Sequence, residues 1–223
     1  MPLAEWKDSL GTCATATTII QFLIGIQVCA GFYTKKTTGD SSCLTFLAGV
    51  CMSCVCFTYA KLIQNQTLQT VNVTGFVLQS LYAIVFYKYT KYRVKTGRLI
   101  MMVFIFVVLV QTYVSNEEDL SKSQIRVGML GAVLSISYSS APLANLRLVF
   151  KSKNTESLPF YLILATVLAT GQWTLYGVII EDNIIEIPNF IGFIAALFQL
   201  SLFFCIPRFK SEKTVMEKHF NWL

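Results

Sequence analysis

The sequence predicts an all-α multi-pass membrane protein, with seven transmembrane helices in a 3+1+3 arrangement of two parallel triple-helix bundles. Three observations predict it. The 223-residue chain is 54% hydrophobic and only 13% charged, with a mean hydropathy of +0.58; an average soluble domain carries about twice that charge fraction. The apolar residues fall into blocks of roughly 18–22, the length at which a helix crosses a hydrocarbon core. The two halves also echo each other at an offset of 117 residues. Cys56-Phe57-Thr58-Tyr59-Ala60 is followed by Asn72, and Trp173-Thr174-Leu175-Tyr176-Gly177 by Asn189 at the same spacing.

Taken in order, the blocks cover residues 11–32, 43–61, 70–88, 98–115, 126–148, 158–180 and 187–207. The first is preceded by Glu5, Lys7 and Asp8 rather than by a basic stretch, so it reads as a span and not as a secretory signal. Blocks one to three match blocks five to seven, with Lys36-Thr37-Thr38 falling on Lys153-Asn154-Thr155 in the turns. Three is an odd number of spans, so two parallel copies need one reversing span between them. Block four is that span: it is strongly apolar and has no counterpart. The expected units are residues 1–92, a linker over 93–122, residues 123–207, and a tail over 208–223.

Cations set the orientation. Lys35, Lys36, Lys88, Lys91, Arg93, Lys95, Arg98, Arg147, Lys151, Lys153, Arg208, Lys210, Lys213 and Lys218 occupy the connections after blocks one, three and five, and the tail. The other side has Lys7, Lys61, Lys122 and Arg126. The positive-inside rule then puts the N-terminus outside and the C-terminus in the cytosol. The plasma membrane is the expected address, with an endomembrane such as the Golgi as the alternative. Asn65-Gln66-Thr67 is a glycosylation sequon in an outer connection, which makes Asn65 a candidate acceptor. Asn72-Val73-Thr74 fits the same pattern but begins inside a span.

The cores of the blocks hold no Asp, Glu, His, Lys or Arg. Ion-coupled carriers, pumps and voltage sensors generally place such groups there. No nucleophile motif, zinc-protease motif or phosphate loop is present, and no catalytic residue is assigned. Cys51, Cys54 and Cys56 have no histidine or carboxylate close by, so they read as packing residues and not as metal ligands. No cofactor and no nucleic-acid partner is expected. What remains is neutral and polar: Gln21, Asn72, Gln79, Gln111, Gln172, Asn189 and many hydroxyls. A carboxamide facing lipid is costly, so Asn72 and Asn189, at equivalent positions, point to a cavity where the halves meet.

Prolines bend helices by removing a backbone donor. Pro142 lies in mid-block five, Pro159 opens block six, and Pro188 precedes Asn189. Pro142 and Pro159 form a candidate hinge pair.

Four segments carry a resemblance: Tyr138-Ser139-Ser140-Ala141-Pro142-Leu143, Lys153-Asn154-Thr155-Glu156-Ser157-Leu158-Pro159-Phe160, Gln172-Trp173-Thr174-Leu175-Tyr176-Gly177 and Ile187-Pro188-Asn189-Phe190-Ile191-Gly192. They resemble the second repeat of the SWEET sugar transporters, animal branch, and the likeness runs to about Pro207. It implies a fold whose third helix in each triplet lies between the other two, and facilitated, bidirectional transport of mono- or disaccharides by alternating access. It also implies that Asn72 and Asn189 bind sugar, that Trp173 stacks on it, and that Tyr59 and Asp182 form an extracellular gate. Family members assemble as homo-oligomers. The first half departs from the pattern. Gly25 and Thr45 stand at two hinge positions where the family places prolines, and Cys56 replaces the tryptophan matched by Trp173. The departures feed the alternative reading, a non-transporting assembly or trafficking factor or a sugar sensor.

Overall fold

The computed structural model describes residues 5–140, 143, 146–155, 158 and 160–206. Eight helices account for most of them: α1 (Lys7–Lys35), α2 (Leu44–Leu62), α3 (Gln66–Tyr89), α4 (Arg93–Asn116), α5 (Leu120–Ser140), α6 (Leu146–Ser152), α7 (Phe160–Ile179) and α8 (Asn183–Cys205). Six of these, all but α5 and α6, are long and apolar enough to cross a membrane. The fifth block reads differently from its hydropathy. It takes in α5 from Arg126 onward and only the first three residues of α6, and α5 itself carries Lys122, Arg126 and six serines. Pro142 and Pro159 lie outside the described residues.

Packing sorts the helices into two triplets. Within the first, α3 packs on both α1 and α2; within the second, α8 packs on both α5 and α7. The triplets meet along two seams, α1 with α7 and α2 with α5, while α4 lies against α2 and α3. The linker is fastened by its one glutamine: Gln111 Nε2 donates to Thr58 Oγ1 on α2 at 2.6 Å. The other sides of α1 and α4 expose large apolar residues such as Ile20, Ile26, Met102, Phe104 and Leu109, as a lipid-facing surface requires.

The repeat holds in the backbone as well. Among the described residues, the four non-glycine residues with positive φ are Lys36 (55°), Gln64 (54°), Lys153 (49°) and Glu181 (55°). They are two pairs at the 117-residue offset, each ending a helix in the left-handed conformation. Asn65 caps α3 by accepting from Leu68 N, and Asp182 caps α8 by accepting from Ile184 N and Ile185 N. Both caps start their helix about four residues before hydropathy does.

The apolar core is divided unevenly. One buried cluster joins the halves and includes Ala14, Val55, Tyr59, Leu68, Val71, Trp173, Tyr176 and Ile185, all toward the end of the bundle that carries the two caps. Toward the basic end the described clusters belong to single triplets. Phe32, Phe46, Tyr82 and Phe86 pack in the first, and Val149, Leu158, Ile163 and Leu202 in the second.

Candidate functional site

The cap end is closed by two hydrogen-bonded pairs. Tyr59 Oη donates to Asp182 Oδ2 at 2.7 Å, while the other carboxylate oxygen caps α8. Tyr176 Oη and the Asn65 carboxamide exchange bonds, with Nδ2 donating to the phenol at 3.0 Å and the phenol donating to Oδ1 at 3.2 Å. Tyr176 corresponds to Tyr59, and Asp182 to Asn65, at the repeat offset. Each half therefore sends a phenol from its second helix to the residue that caps the third helix of the other half.

Glycines make room for both rings. A Cβ at Gly128 would lie 2.8 Å from the Tyr59 ring, and one at Gly11 would lie 3.0 Å from the Tyr176 ring. Gly11 and Gly128 are also repeat mates, and a Cβ at either position would crowd its ring and force it to shift.

The next level inward keeps the symmetry. Trp173 is buried, packs edge-on to Tyr176 with ring centroids 5.4 Å apart, and donates its indole N–H to Thr18 Oγ1 at 2.9 Å. Cys56 Sγ lies 3.7 Å from Ser135 Oγ. Cys56 matches Trp173, and Ser135 matches Thr18. The smaller Cys56 side chain faces Gly131, where a Cβ would stand 3.4 Å from its sulfur.

Asn72 and Asn189 share one geometry. Each is half-buried and returns its amide nitrogen to its own helix, to Leu68 O at 2.8 Å and to Ile185 O at 2.7 Å. That bond holds the carboxamide in one orientation and leaves the carbonyl end to accept. Each lies six residues from the start of its helix, about 9 Å in. Pro188 is buried inside α8, where its missing N–H loosens the helix one residue before Asn189.

Three of the sequence expectations read differently in the structure. The sequon nitrogen of Asn65 is the atom that donates to Tyr176, so the folded protein uses it for closure. Thr45 is the second residue of α2, where the backbone N–H has no helical partner, so a proline there would impose no kink. At Gly25 the ring of Tyr82 occupies the space a Cβ would need, and Tyr82 Oη donates to Phe22 O at 3.0 Å. The glycine is required by packing as much as by flexing. Thr18, Ser135, Gly11, Gly128 and the Asn65–Tyr176 pair were missed from sequence, although each lies on the same 117-residue offset that located the asparagines.

Two pseudo-equivalent halves, crossed bonds at one end and uncharged polar side chains beneath them define a class: a helical membrane protein with a gated solute path. The profile of one family, described as sugar efflux transporters for intercellular exchange, matches residues 8–94 and 125–211, one stretch for each triplet. The chain belongs to this family. It is 36% identical over 204 residues to the sugar transporter SWEET1 of Drosophila pseudoobscura pseudoobscura, covering 90% of this chain and 89% of that one. Against the sugar transporter SWEET1 of Caenorhabditis elegans the identity is 31%, covering 96% and 70%. The 3.7 Å resolution structure of a eukaryotic SWEET transporter superimposes with a TM-score of 0.83 at 26% identity, over 91% of this chain and 97% of that chain.

Proposed function

We propose that this protein is a facilitative, bidirectional sugar carrier that moves mono- or disaccharides by alternating access, with no coupled ion and no chemical step. The observation that carries this reading is the symmetric closure above a level of neutral polar groups. The crossed pairs Tyr59–Asp182 and Tyr176–Asn65 form the outer gate. Beneath them the carbonyl ends of Asn72 and Asn189 accept sugar hydroxyls, Trp173 supplies an apolar wall, and Cys56 leaves the opposite side wider. The apolar cluster that joins the halves lies at this same end, which suits a state closed to the outside. The first and second triplets, residues 1–92 and 123–207, are the moving units, and α4 is the strap between them.

The cation bias supports an external N-terminus and a cytosolic C-terminus, with the plasma membrane as the address. The test is tracer sugar flux by purified protein in liposomes. Wild type transports, and Asn72→Ala and Asn189→Ala each abolish nearly all flux at equal reconstitution. Wild-type flux in both variants removes the site assignment, and no flux in the parent protein removes the function.

A further inference from the structure

Below the asparagine level the first triplet holds polar atoms that nothing satisfies. Gln79 is 5% exposed and Ser53 is 0% exposed. Gln79 Nε2 donates across the seam to Tyr138 Oη on α5 at 3.4 Å, while Gln79 Oε1 and Ser53 Oγ have no hydrogen-bond partner among the described residues. Whichever way the carboxamide is turned, one of its ends stays unpaired. Two glycines pack against them. A Cβ at Gly49 would lie 2.8 Å from the Gln79 side chain, and one at Gly75 would lie 2.7 Å from Ser53 Oγ.

Both atoms lie deeper than Asn72, Gln79 at the α3–α5 seam and Ser53 beside it within the first triplet, against Gly75. Gln79 follows Asn72 by seven residues on α3, which puts it on the same helix face about 10 Å further in. Ser53 is the central residue of α2, and lies on the side of Cys56 away from the outer gate. The second triplet differs at these two positions, although Gln172 Oε1, two residues from Thr170 on α7, is also buried without a partner among the described residues. Ala196 stands opposite Gln79, and Thr170, the mate of Ser53, donates to Thr166 O on its own helix at 2.6 Å.

An unpaired carboxamide end and hydroxyl in a dry helix interface destabilise the resting protein. We infer that Gln79, Ser53 and Tyr138 form a second, mid-depth station that takes hydroxyls of the neutral polyhydroxylated solute as it passes inward from the asparagine level. This rests on the carrier reading above.

The test uses Ser53→Ala and Gln79→Met, with glucose, fructose and sucrose as probes. Flux is measured in liposomes, and thermal melting of the purified protein with and without whichever probe wild type carries. Each variant is expected to lose flux about tenfold, the equivalent of one hydrogen bond to the passing solute. Its sugar-induced rise in Tm is expected to shrink, while its sugar-free Tm equals or exceeds that of wild type. Unchanged flux with an unchanged sugar-induced shift overturns the inference, and is what a trapped water at these atoms would give. A sugar-free Tm that falls along with the flux overturns it equally, because the role is then structural. If Asn189→Ala stops flux and these two variants do not, the carrier reading stands and this one falls. If wild type carries none of the three sugars, both fall.

Discussion

Removing the phenol oxygen in Tyr59→Phe should unlock the outer gate. Two sets of hydrogen bonds hold it. Tyr59 donates to a carboxylate at 2.7 Å, a charge-assisted bond of the kind worth about 1.5–3 kcal/mol. The neutral Tyr176–Asn65 exchange, at 3.0 and 3.2 Å, belongs nearer about 1 kcal/mol. Asp182 is half-buried at the rim, so water replaces part of what the phenol gave and the effect falls at the lower end. Its capping of α8 uses the other oxygen, so the helix start survives. At about 1.4 kcal/mol per decade, Tyr59→Phe raises the open population about tenfold and Tyr176→Phe about fivefold. The two pairs share no hydrogen-bonding atom, so the double variant approaches about fiftyfold. The readout is the labelling rate of Cys56, below the gate, by a membrane-impermeant maleimide added outside. It is made in a transport-competent background with the other six cysteines replaced. Unchanged labelling in both single variants and in the double would refute the reasoning, leaving the apolar cluster alone to hold the closed state.

Three further outcomes follow from the same geometry. Thr18→Val leaves the buried indole N–H of Trp173 unpaired; it should destabilise the protein by about 1–3 kcal/mol and raise the half-saturation for sugar, as read by melting and tracer uptake. Gly128→Ala sets a methyl 2.6 Å from Ile184 and 2.8 Å from the Tyr59 ring; this overpacking, about 1–3 kcal/mol, should speed Cys56 labelling much as Tyr59→Phe does. With no Asp, Glu, His, Lys or Arg in the middle stretches of the described helices, a protonophore should leave downhill sugar flux unchanged when the sugar gradient is held fixed.

Much of the molecule could be read without coordinates. Hydropathy located the spans, and the odd number of repeated blocks required a reversing linker. The signal is weakest over α5, whose six serines and two cations dilute its apolar run. The asparagines stood out because a carboxamide in an apolar run needs a reason. The bond from Asn65 to Tyr176 was not legible because the sequon pattern sees only Asn, any residue and a hydroxyl. It carries no information about which phenol from the other half reaches that amide.

The sequence by itself determined the repeat, the uneven distribution of its cations, and apolar blocks whose middles carry neutral polar side chains and no Asp, Glu, His, Lys or Arg. An offset of 117 residues says which positions are equivalent, and equivalence does not say which positions touch. Only tertiary structure decided that the halves pair crosswise, each tyrosine with the other half's cap residue, because that depends on how two bundles meet along α1–α7 and α2–α5. It also decided depth. The side-chain caps of Asn65 and Asp182 extend α3 and α8 outward beyond their apolar runs, which leaves Asn72 and Asn189 about 9 Å below the helix starts and puts Ser53 and Gln79 at mid-helix.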